Sequence, residues 1–382
     1  MSTTEPATSA EREDRVLERI DKFRQRRPRL LDEVVTLAHG AGGKSSAALV
    51  DAVFVEAFRN DELEQLGDAA ALSMPSGERL AFSTDSYVVQ PLRFPGGSIG
   101  HLAVHGTVND LAVSGARLSG VSWVGRARGR LRRPRWLSAA FVIEEGFPIA
   151  ELREIVADMS EAAVLSGVQI VTGDTKVVGK GAADGVYIST AGVGVIPEGR
   201  RLSPDLVRAG DKVLLSGTIG AHGMAVMLAR GDLAIEADIA SDTAPVNSLV
   251  EALLEAAPST RWMRDATRGG VGTVCNELAH ASQLAVIIDE HSLPIEPQVL
   301  GACDMLGIDP LYVANEGKFV AVVAAEEADA AVAALRAHPR GADAAAVGEI
   351  LAEPPGIVAL RTSFGGSRIV DMLVGDPLPR IC

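Results

Sequence analysis

Strand-like runs alternate with longer helical stretches along most of the chain, and this alternation restricts the fold to the α/β classes. The strand-like runs are Leu80–Ser83, Gln169–Thr172, Val186–Val195, Lys212–Ser216, Val286–Asp289, Phe319–Ala324 and Gly356–Leu360. The helical stretches are Lys44–Ala57, Ile99–Val113, Ile149–Ser166 and Val246–Ala256. We therefore predict a mixed α/β (α+β) protein.

The chain has 382 residues, which is enough for two domains with independent cores. A loop rich in Pro, Gly and Arg, Pro197–Pro204, is the best boundary between them. We predict a charged N-terminal extension over 1–33, a first domain over 34–197, a second α/β domain over 198–373 and a tail over 374–382.

Charge and cysteine usage exclude several classes of protein. A net charge of −14 argues against general nucleic-acid binding, which depends on Lys and Arg neutralising phosphates. No run approaches the roughly 20 apolar residues of a membrane span, and the polar N-terminus lacks a signal core. Cys275, Cys303 and Cys382 form neither a disulfide framework nor a CxxC pattern. We predict a cytoplasmic protein that binds neither nucleic acid nor membrane.

The sequence ends in Pro379-Arg380-Ile381-Cys382, which places a thiol at the end of a tail. From Val374 to Cys382 an extended chain would reach about 30 Å. One interpretation is a carrier that accepts a group on its thiolate at one site and presents it at another. The other is an incidental cysteine on a frayed end. The tail alone leaves both open.

Four aspartates recur where strands are expected to end, and such ends are common ligand sites in α/β folds. They are Asp68, Asp85, Asp110 and Asp174, and Asn109 and Thr175 stand beside two of them. A single such Asp is usually a helix cap. Four in one half of the chain favour a hard oxygen-ligand site for Mg²⁺ and nucleotide phosphates.

A glycine-rich turn, His39–Ser45, leads into the first predicted helix. It lacks the Walker A spacing, because Ala38 stands where the first glycine is required. Its main-chain N–H groups could still hold phosphate, so Gly42, Gly43 and Lys44 are candidate ligands.

Lysine and arginine residues give further candidates. Lys176 follows Asp174 by two residues and could neutralise phosphate, or act as a base if it were desolvated. Asp265–Gly270 and Asn315–Lys318 could position a substrate, although each alone is more typical of a capped turn. The arginine-rich segment Arg126–Arg135 is either a solvated loop or a docking site for an acidic partner.

Taken together, these segments resemble the HypE family of hydrogenase-maturation proteins, within the ATP-binding superfamily of aminoimidazole ribonucleotide synthetase. The matching segments are Leu37–Gly43, Ala81–Tyr87, Phe94–Gly97, Asn109-Asp110, Val171–Val178, Asp265–Gly270, Asn315–Lys318 and Pro379–Cys382. The aspartate motifs identify the superfamily, whereas the terminal cysteine singles out HypE.

The resemblance implies a two-domain fold whose first domains pair in a homodimer, with ATP and Mg²⁺ near the pairing surface and a mobile C-terminal tail. It also implies a reaction. A HypF-type carbamoyltransferase loads a carbamoyl group onto the Cys382 sulfur, and the protein, an ATP-dependent carbamoyl dehydratase, converts this thiocarboxamide into a thiocyanate. The cyanide then passes to iron on a HypC–HypD scaffold, for the active site of [NiFe]-hydrogenase.

The resemblance also assigns residues. Cys382, Lys176 and Glu316 are the implied catalytic residues, and either Lys176 or Glu316 could be the base. The implied nucleotide ligands are Gly42, Gly43, Lys44, Asp68, Asp85, Asn109, Asp110, Asp174 and Thr175, and the four aspartates among them are the implied metal ligands. Ala221 stands where the family is expected to carry an acidic residue, so no role is predicted for the Gly220–Gly223 loop.

Two other functions stay open. Another ATP-dependent enzyme of the superfamily would have no use for a terminal cysteine, and a selenophosphate synthetase would carry Cys or selenocysteine in the His39–Lys44 loop. A non-enzymatic scaffold could pass a metal through Cys382, but one thiolate makes a poor metal site.

Overall fold

The computed structural model describes residues 30–118, 136–231, 237–373, 375 and 380–382. The predicted extension up to residue 29 and the segment Arg126–Arg135 lie outside the described residues. Residues 374 and 376–379 of the predicted tail also lie outside them. Within the described ranges, no helix is long and apolar enough to cross a membrane.

Two separate sheets carry most of the strands. The strands are β1 (Ala70–Ser73), β2 (Arg79–Tyr87), β3 (Arg93–Phe94), β4 (Gly97–Ser98), β5 (Trp136–Glu144), β6 (Gln169–Val178), β7 (Val186–Ile196), β8 (Lys212–Leu215), β9 (Trp262–Asp265), β10 (Ala285–Asp289), β11 (Phe319–Val323), β12 (Ala345–Leu351), β13 (Val358–Arg361) and β14 (Ser367–Ile369). The first sheet has the order β1-β2-β7-β5-β6, and the second β14-β13-β10-β12-β8-β11-β9. β3 and β4 form a small ribbon.

The helices pack on these sheets. They are α1 (Lys44–Leu49, continued by π-helical Val50–Val55 and by Glu56–Phe58), α2 (Ile99–Val113), α3 (Ile149–Ser166), α4 (Ala221–Ala229), α5 (Asn247–Ala256), α6 (Gly270–Ser282), α7 (Pro297–Leu306) and α8 (Ala328–Ala337). The α/β architecture confirms the predicted fold class. The predicted domain boundary near residue 197 stays a prediction.

Helix α2 lies at the centre of the molecule. Its N-cap Ser98 accepts a hydrogen bond from the N–H of Gly100, as expected at a helix start. All its residues except His101 and Asp110 are buried, because it packs on β2 and β7 of the first sheet, on α3, and on α5 and β9 of the second half of the chain, after residue 197. A helix that is apolar all round has to be surrounded by protein. Polar groups near its C-terminal end are therefore held where the two halves meet.

Pairing with β7 and β5 makes β2 and β6 run further than predicted. The side chains of β7 alternate between buried and partly exposed, so one face covers α2 and the other faces away from it. β2 pairs with β7 from Arg79 through Tyr87, although its strand-like run ends at Ser83. β6 likewise continues to Val178 along β5. The prediction that the four aspartates follow strand ends is therefore wrong. Asp85 and Asp174 lie within strands, Asp68 precedes β1 and Asp110 lies in α2.

Candidate active site

Three buried or partly buried carboxylates meet between the two halves of the chain. Asp68 precedes β1, Asp110 lies near the end of α2 and Asp265 ends β9. One carboxylate oxygen from each lies within 4.8 Å of the others. We call these three residues the carboxylate cluster. The sequence predicted Asp68 and Asp110 as ligands, but not Asp265.

The electrostatics of the carboxylate cluster favour a bound cation. Burial raises the pKa of Asp110 well above its ordinary value, and the nearby charges of Asp265 and Asp68 raise it further. Burial likewise raises the pKa of Asp265. Arg264 offsets part of this repulsion through an ion pair of 2.8 Å with Asp68. Buried carboxylate oxygens that repel one another are a donor set that fits Mg²⁺.

Asp85 lies at the margin of the carboxylate cluster. Its charge raises the pKa of both Asp110 and Asp265, which places it close to them. Its carboxylate also lies 3.9 Å from the guanidinium of Arg268. Three of the four predicted aspartates thus meet in one region, together with an arginine that the sequence did not assign.

Asp174, Thr175 and Lys176 lie elsewhere, on the exposed edge strand β6. Across the sheet, Asp85 of β2 lies opposite Thr190 of β7, Thr190 lies opposite Ala139 of β5, and Ala139 lies opposite Gly173 of β6. Asp174 is therefore three strand spacings away, about 14 Å, and points to the other face of the sheet. Its carboxylate pairs with the Lys176 ammonium at 2.8 Å. Within one chain the four aspartates do not converge, because β6 is separated from β2 by two strands.

The glycine loop, the glycine-rich turn His39–Ser45, lies beside Arg268 and the segment that follows β14. Gly42 has φ +78, and a Cβ there would lie 2.9 Å from the carbonyl oxygen of Arg268. The N–H of Gly42 donates to Ser46 Oγ, and the N–H of Lys44 donates to the Leu373 carbonyl at 2.7 Å. The Lys44 ammonium pairs with Asp371 at 2.6 Å. In this state, these groups are engaged within the chain.

Asn109 joins the two halves. Its side-chain nitrogen donates to the carbonyls of Ala244 and Glu316, and its oxygen accepts from the N–H of Val246. These bonds fix the loop before α5 and the main chain at Glu316. Its predicted contact with nucleotide stays a prediction.

Glu316 has a fixed main chain and an unsatisfied side chain. Its N–H donates to Asp242 Oδ1 at 3.1 Å, and its carbonyl accepts from Asn109. The side chain is buried, and Oε1 has no hydrogen-bond partner among the described residues. Burial raises the pKa of Glu316 well above its usual range, and the charges of Asp265 and Asp85 add to this effect. Such a carboxyl suits proton transfer near neutral pH.

The end of the tail docks against the segment after β2. The N–H of Val88 donates to the main-chain oxygen of Cys382 at 3.2 Å, and the N–H of Gln90 donates to that of Arg380 at 3.3 Å. Ile381 is buried in the core. The predicted mobility of the tail stays a prediction, and residues 380–382 are docked in this state.

Docking brings Cys382 near Arg268, which lies beside Asp85 at the margin of the carboxylate cluster. The negative charge at Cys382 is the largest cause that raises the pKa of Arg268; burial opposes it, and the charges of Asp85 and Glu316 raise the pKa further. Arg268 is thus under the influence of both the tail and the carboxylates of Asp85 and Glu316. The sequence singled out the segment Asp265–Gly270 but assigned it no site residue, and it gave no role to His222, which contacts Ile381.

Comparison with known proteins identifies the family. Residues 66–196 match the family described as AIR synthase related protein, N-terminal domain, and residues 208–361 match the corresponding C-terminal domain. The carbamoyl dehydratase HypE of Rhodobacter capsulatus is 52% identical over 355 residues, which cover 92% of this chain and 99% of that protein. The HypE of Escherichia coli K12 is 44% identical and covers 91% of this chain and 99% of that protein.

Solved structures agree. A crystal structure of hydrogenase maturation protein HypE in complex with ATP has a TM-score of 0.72 at 43% identity, and it covers 91% of this chain and 100% of that chain. A HypE chain from a crystal structure of a HypE–HypF complex has a TM-score of 0.77 at 44% identity, with 85% of this chain and 100% of that chain covered. The chain belongs to the HypE family of carbamoyl dehydratases, within the AIR synthase-related superfamily.

Proposed function

We propose that this carbamoyl dehydratase of hydrogenase maturation carries its substrate group on the sulfur of Cys382 and dehydrates it with ATP. The observation that carries the proposal is the docking of residues 380–382, which brings Cys382 near Arg268, the arginine that also faces Asp85 and Glu316. The ATP complex of a relative supports ATP as the second substrate.

The chemistry requires an oxygen and two protons to leave the carbamoyl group. The S–C(=O)–NH₂ group reacts with ATP and becomes S–C≡N, and the products are ADP and phosphate. The amide oxygen leaves as phosphate because it is a poor leaving group by itself, and the nitrogen loses both protons. Arg268 would balance the negative charge that develops on the transferred phosphoryl group.

Glu316 is the base that we favour for one of these protons. Its carboxyl is 2% exposed, and Oε1 is available for a substrate N–H. Lys176 stays the second candidate and would have to come from the β6 strand of another copy, because it lies far from the cluster within one chain. Its ammonium lies 2.8 Å from the Asp174 carboxylate, and a lysine engaged in an ion pair suits phosphate binding better than proton abstraction.

Asp68, Asp110 and Asp265 would hold Mg²⁺, which would supply positive charge against the nucleotide phosphates. We expect Asp110→Asn to lower ATP turnover at least about tenfold at low Mg²⁺, because it removes one charged ligand of a hard cation. ATP turnover measured across a Mg²⁺ titration checks this. Asp329→Asn, an exposed substitution on α8, is the control. Equal Mg²⁺ dependence in Asp110→Asn and the wild type would contradict the assignment.

The proposal includes a homodimer formed by the predicted first domain, 34–197. β6 is an edge strand, and it exposes large apolar side chains, with Val171 57% and Val177 69% exposed. An exposed, apolar edge strand is a template for pairing with a second chain. Such pairing would carry Asp174, Thr175 and Lys176 of one copy towards the site of the other.

Mixing two inactive variants tests the shared site. Asp110→Asn and Asp174→Asn proteins are each expected to lose dehydration. After co-refolding in equal amounts, about one quarter of the sites should contain both native aspartates, because half of the dimers are mixed and one of their two sites is intact. Recovery of about one quarter of the wild-type activity is expected. A mixture no more active than its components would show that each site is built from one chain.

We propose a HypF-type carbamoyltransferase as the donor, supported by the HypE–HypF complex of a relative. A HypC–HypD complex is the proposed acceptor, since a nitrile on sulfur is a suitable source of cyanide for iron. The proposed compartment is the cytoplasm, where a thiol such as Cys382 stays reduced.

Mass spectrometry tests the whole sequence of events. The protein is incubated with an active HypF-type carbamoyltransferase, carbamoyl phosphate and ATP, and the Cys382 peptide is weighed before and after further addition of ATP and Mg²⁺. A carbamoyl adduct that then loses one water is expected. ATP hydrolysis with no adduct on that peptide would refute the carrier role.

A further inference from the structure

A buried histidine contacts the docked tail at the residue before its thiol. His222, near the start of α4, is fully buried, and its Nε2 lies 2.7 Å from the main-chain oxygen of Ile381. A carbonyl oxygen accepts hydrogen bonds and cannot donate them, so Nε2 carries the proton. The imidazole also packs edge-on against the ring of Phe94, with centroids 5.5 Å apart.

Ser241 fixes this tautomer from the other side of the ring. Its hydroxyl lies 2.8 Å from Nδ1 of His222, and it also accepts the N–H of Thr243. Because Nε2 donates, the neutral Nδ1 has to accept, and the Ser241 hydroxyl donates to it. Burial lowers the pKa of His222, which keeps the ring neutral. The direction of every bond from Thr243 to Ile381 is thus determined.

The same short segment also fixes Glu316. Asp242, between Ser241 and Thr243, accepts the N–H of Glu316 through Oδ1 and pairs with Lys318 at 3.3 Å. Residues 241–243 therefore connect the histidine that contacts the tail with the carboxyl beside the site. This segment sets the position of the tail relative to Glu316.

The other contacts hold different parts of the tail. Val88 and Gln90 donate to the main-chain oxygens of Cys382 and Arg380, the Arg380 guanidinium pairs with Asp184, and the Ile381 side chain is buried in the core, whereas the bond from His222 holds the Ile381 carbonyl. Arg230 donates to the Arg380 carbonyl as well. Arg380 has φ +60, a conformation that residues with a side chain rarely adopt, so its surroundings have to impose it.

We propose that His222 is a positioning residue, which donates from Nε2 to the Ile381 carbonyl and thereby places the Cys382-bound group against Glu316. The proposal rests on the carrier role of Cys382. Proton transfer needs the reacting atoms in a near-attack geometry, and a displacement of about 1 Å can lower a rate about 100-fold. His222 acts through the tail and does not touch the transferred group.

The test separates loading from dehydration. His222→Phe keeps an aromatic ring but removes the donor, and His222→Gln offers an amide N–H in its place. We expect His222→Phe to be loaded by a HypF-type carbamoyltransferase within about twofold of the wild type and to dehydrate the loaded tail about 100-fold more slowly in a single turnover. We expect His222→Gln to recover at least about tenfold of that loss.

A second readout follows the docked tail itself. Iodoacetamide should alkylate Cys382 faster in His222→Phe than in the wild type, and at the wild-type rate in the control His338→Phe, whose histidine bonds to Ser248 away from the tail. Unchanged dehydration in His222→Phe would overturn the proposal, as would equal losses in His222→Phe and His222→Gln. If His222→Phe does not fold, His222→Leu decides, because it also removes the donor and is apolar like the surroundings of the ring. Slower dehydration with normal loading supports the proposal, and an unchanged rate overturns it. Absence of any adduct on wild-type Cys382 would instead refute the carrier role.

Discussion

The Cys382→Ala protein is expected to bind ATP normally and to form no detectable thiocyanate. The carbamoyl group needs a sulfur nucleophile at the end of the tail, and alanine offers none. ATP binding should persist because the carboxylate cluster and Arg268 belong to the rest of the chain. Intact mass after loading, together with ATP binding by calorimetry, measures both expectations.

The other cysteines serve as controls for this experiment. Cys303 is buried in α7, and burial raises its pKa to about 11, so its thiol is poorly reactive. Cys303→Ala should load and dehydrate at rates close to those of the wild type. A carbamoyl adduct on the Cys382→Ala protein would disprove the assignment of the carrier.

The Glu316→Gln protein is expected to lose dehydration by about 10²–10⁴-fold and to gain stability at high pH. The loss follows from removal of a general base. The gain follows from linkage. Since the folded pKa of Glu316 is raised, the folded state keeps a proton that the unfolded state has released, and stability falls as the pH rises above the unfolded value. Between the pKa of Glu316 in the unfolded state and its raised pKa in the folded state, each pH unit lowers the free energy of unfolding by about 1.4 kcal/mol.

Denaturant unfolding at pH 5 and pH 8, without nucleotide or Mg²⁺, measures this difference. Glutamine cannot ionise, so Glu316→Gln should lack that part of the decline. Glu251→Gln is the matched control, because Glu251 is buried but pairs with Arg117 and Arg200 at 2.8 and 2.9 Å. The Glu251→Gln protein should lose about 1–3 kcal/mol of its free energy of unfolding. Parallel pH profiles for wild type and Glu316→Gln, with dehydration retained, would exclude Glu316 as the base.

Local sequence patterns predicted the elements of the fold better than their ends. The stretches Ile99–Val113 and Ile149–Ser166 are helices with the predicted bounds, because their composition and their flanking residues act locally. β2 and β6 extend beyond their apolar runs, since pairing with β7 and β5 continues through polar residues. A hydrogen-bonded ladder depends on the neighbouring strand, and single-strand composition does not contain that information.

In the candidate site, too, local motifs singled out some residues, whereas others reach the site only through long-range packing. Of the four aspartates that the sequence singled out, Asp68, Asp85 and Asp110 lie in one region and Asp174 does not, whereas Asp265 reaches the cluster only because α2 packs against β9. His222 was set aside because Ala221 departs from the expected acidic pattern. Its contact with Ile381 joins positions 159 residues apart, and no local motif encodes such a contact.

The hydrogen bond from the N–H of Lys44 to the Leu373 carbonyl fixes the point from which the C-terminal segment extends. The segment beyond Leu373 spans at most about 30 Å, so the reactive centre of any enzyme that loads or unloads Cys382 has to come within that radius of the glycine loop. Under the proposed carrier role, tethering would hold the thiol near the proposed ATP site at an effective concentration in the millimolar range. A free peptide with the same ending would need millimolar concentrations to compete. A longer C-terminal segment would lower the effective concentration of the thiol at that site.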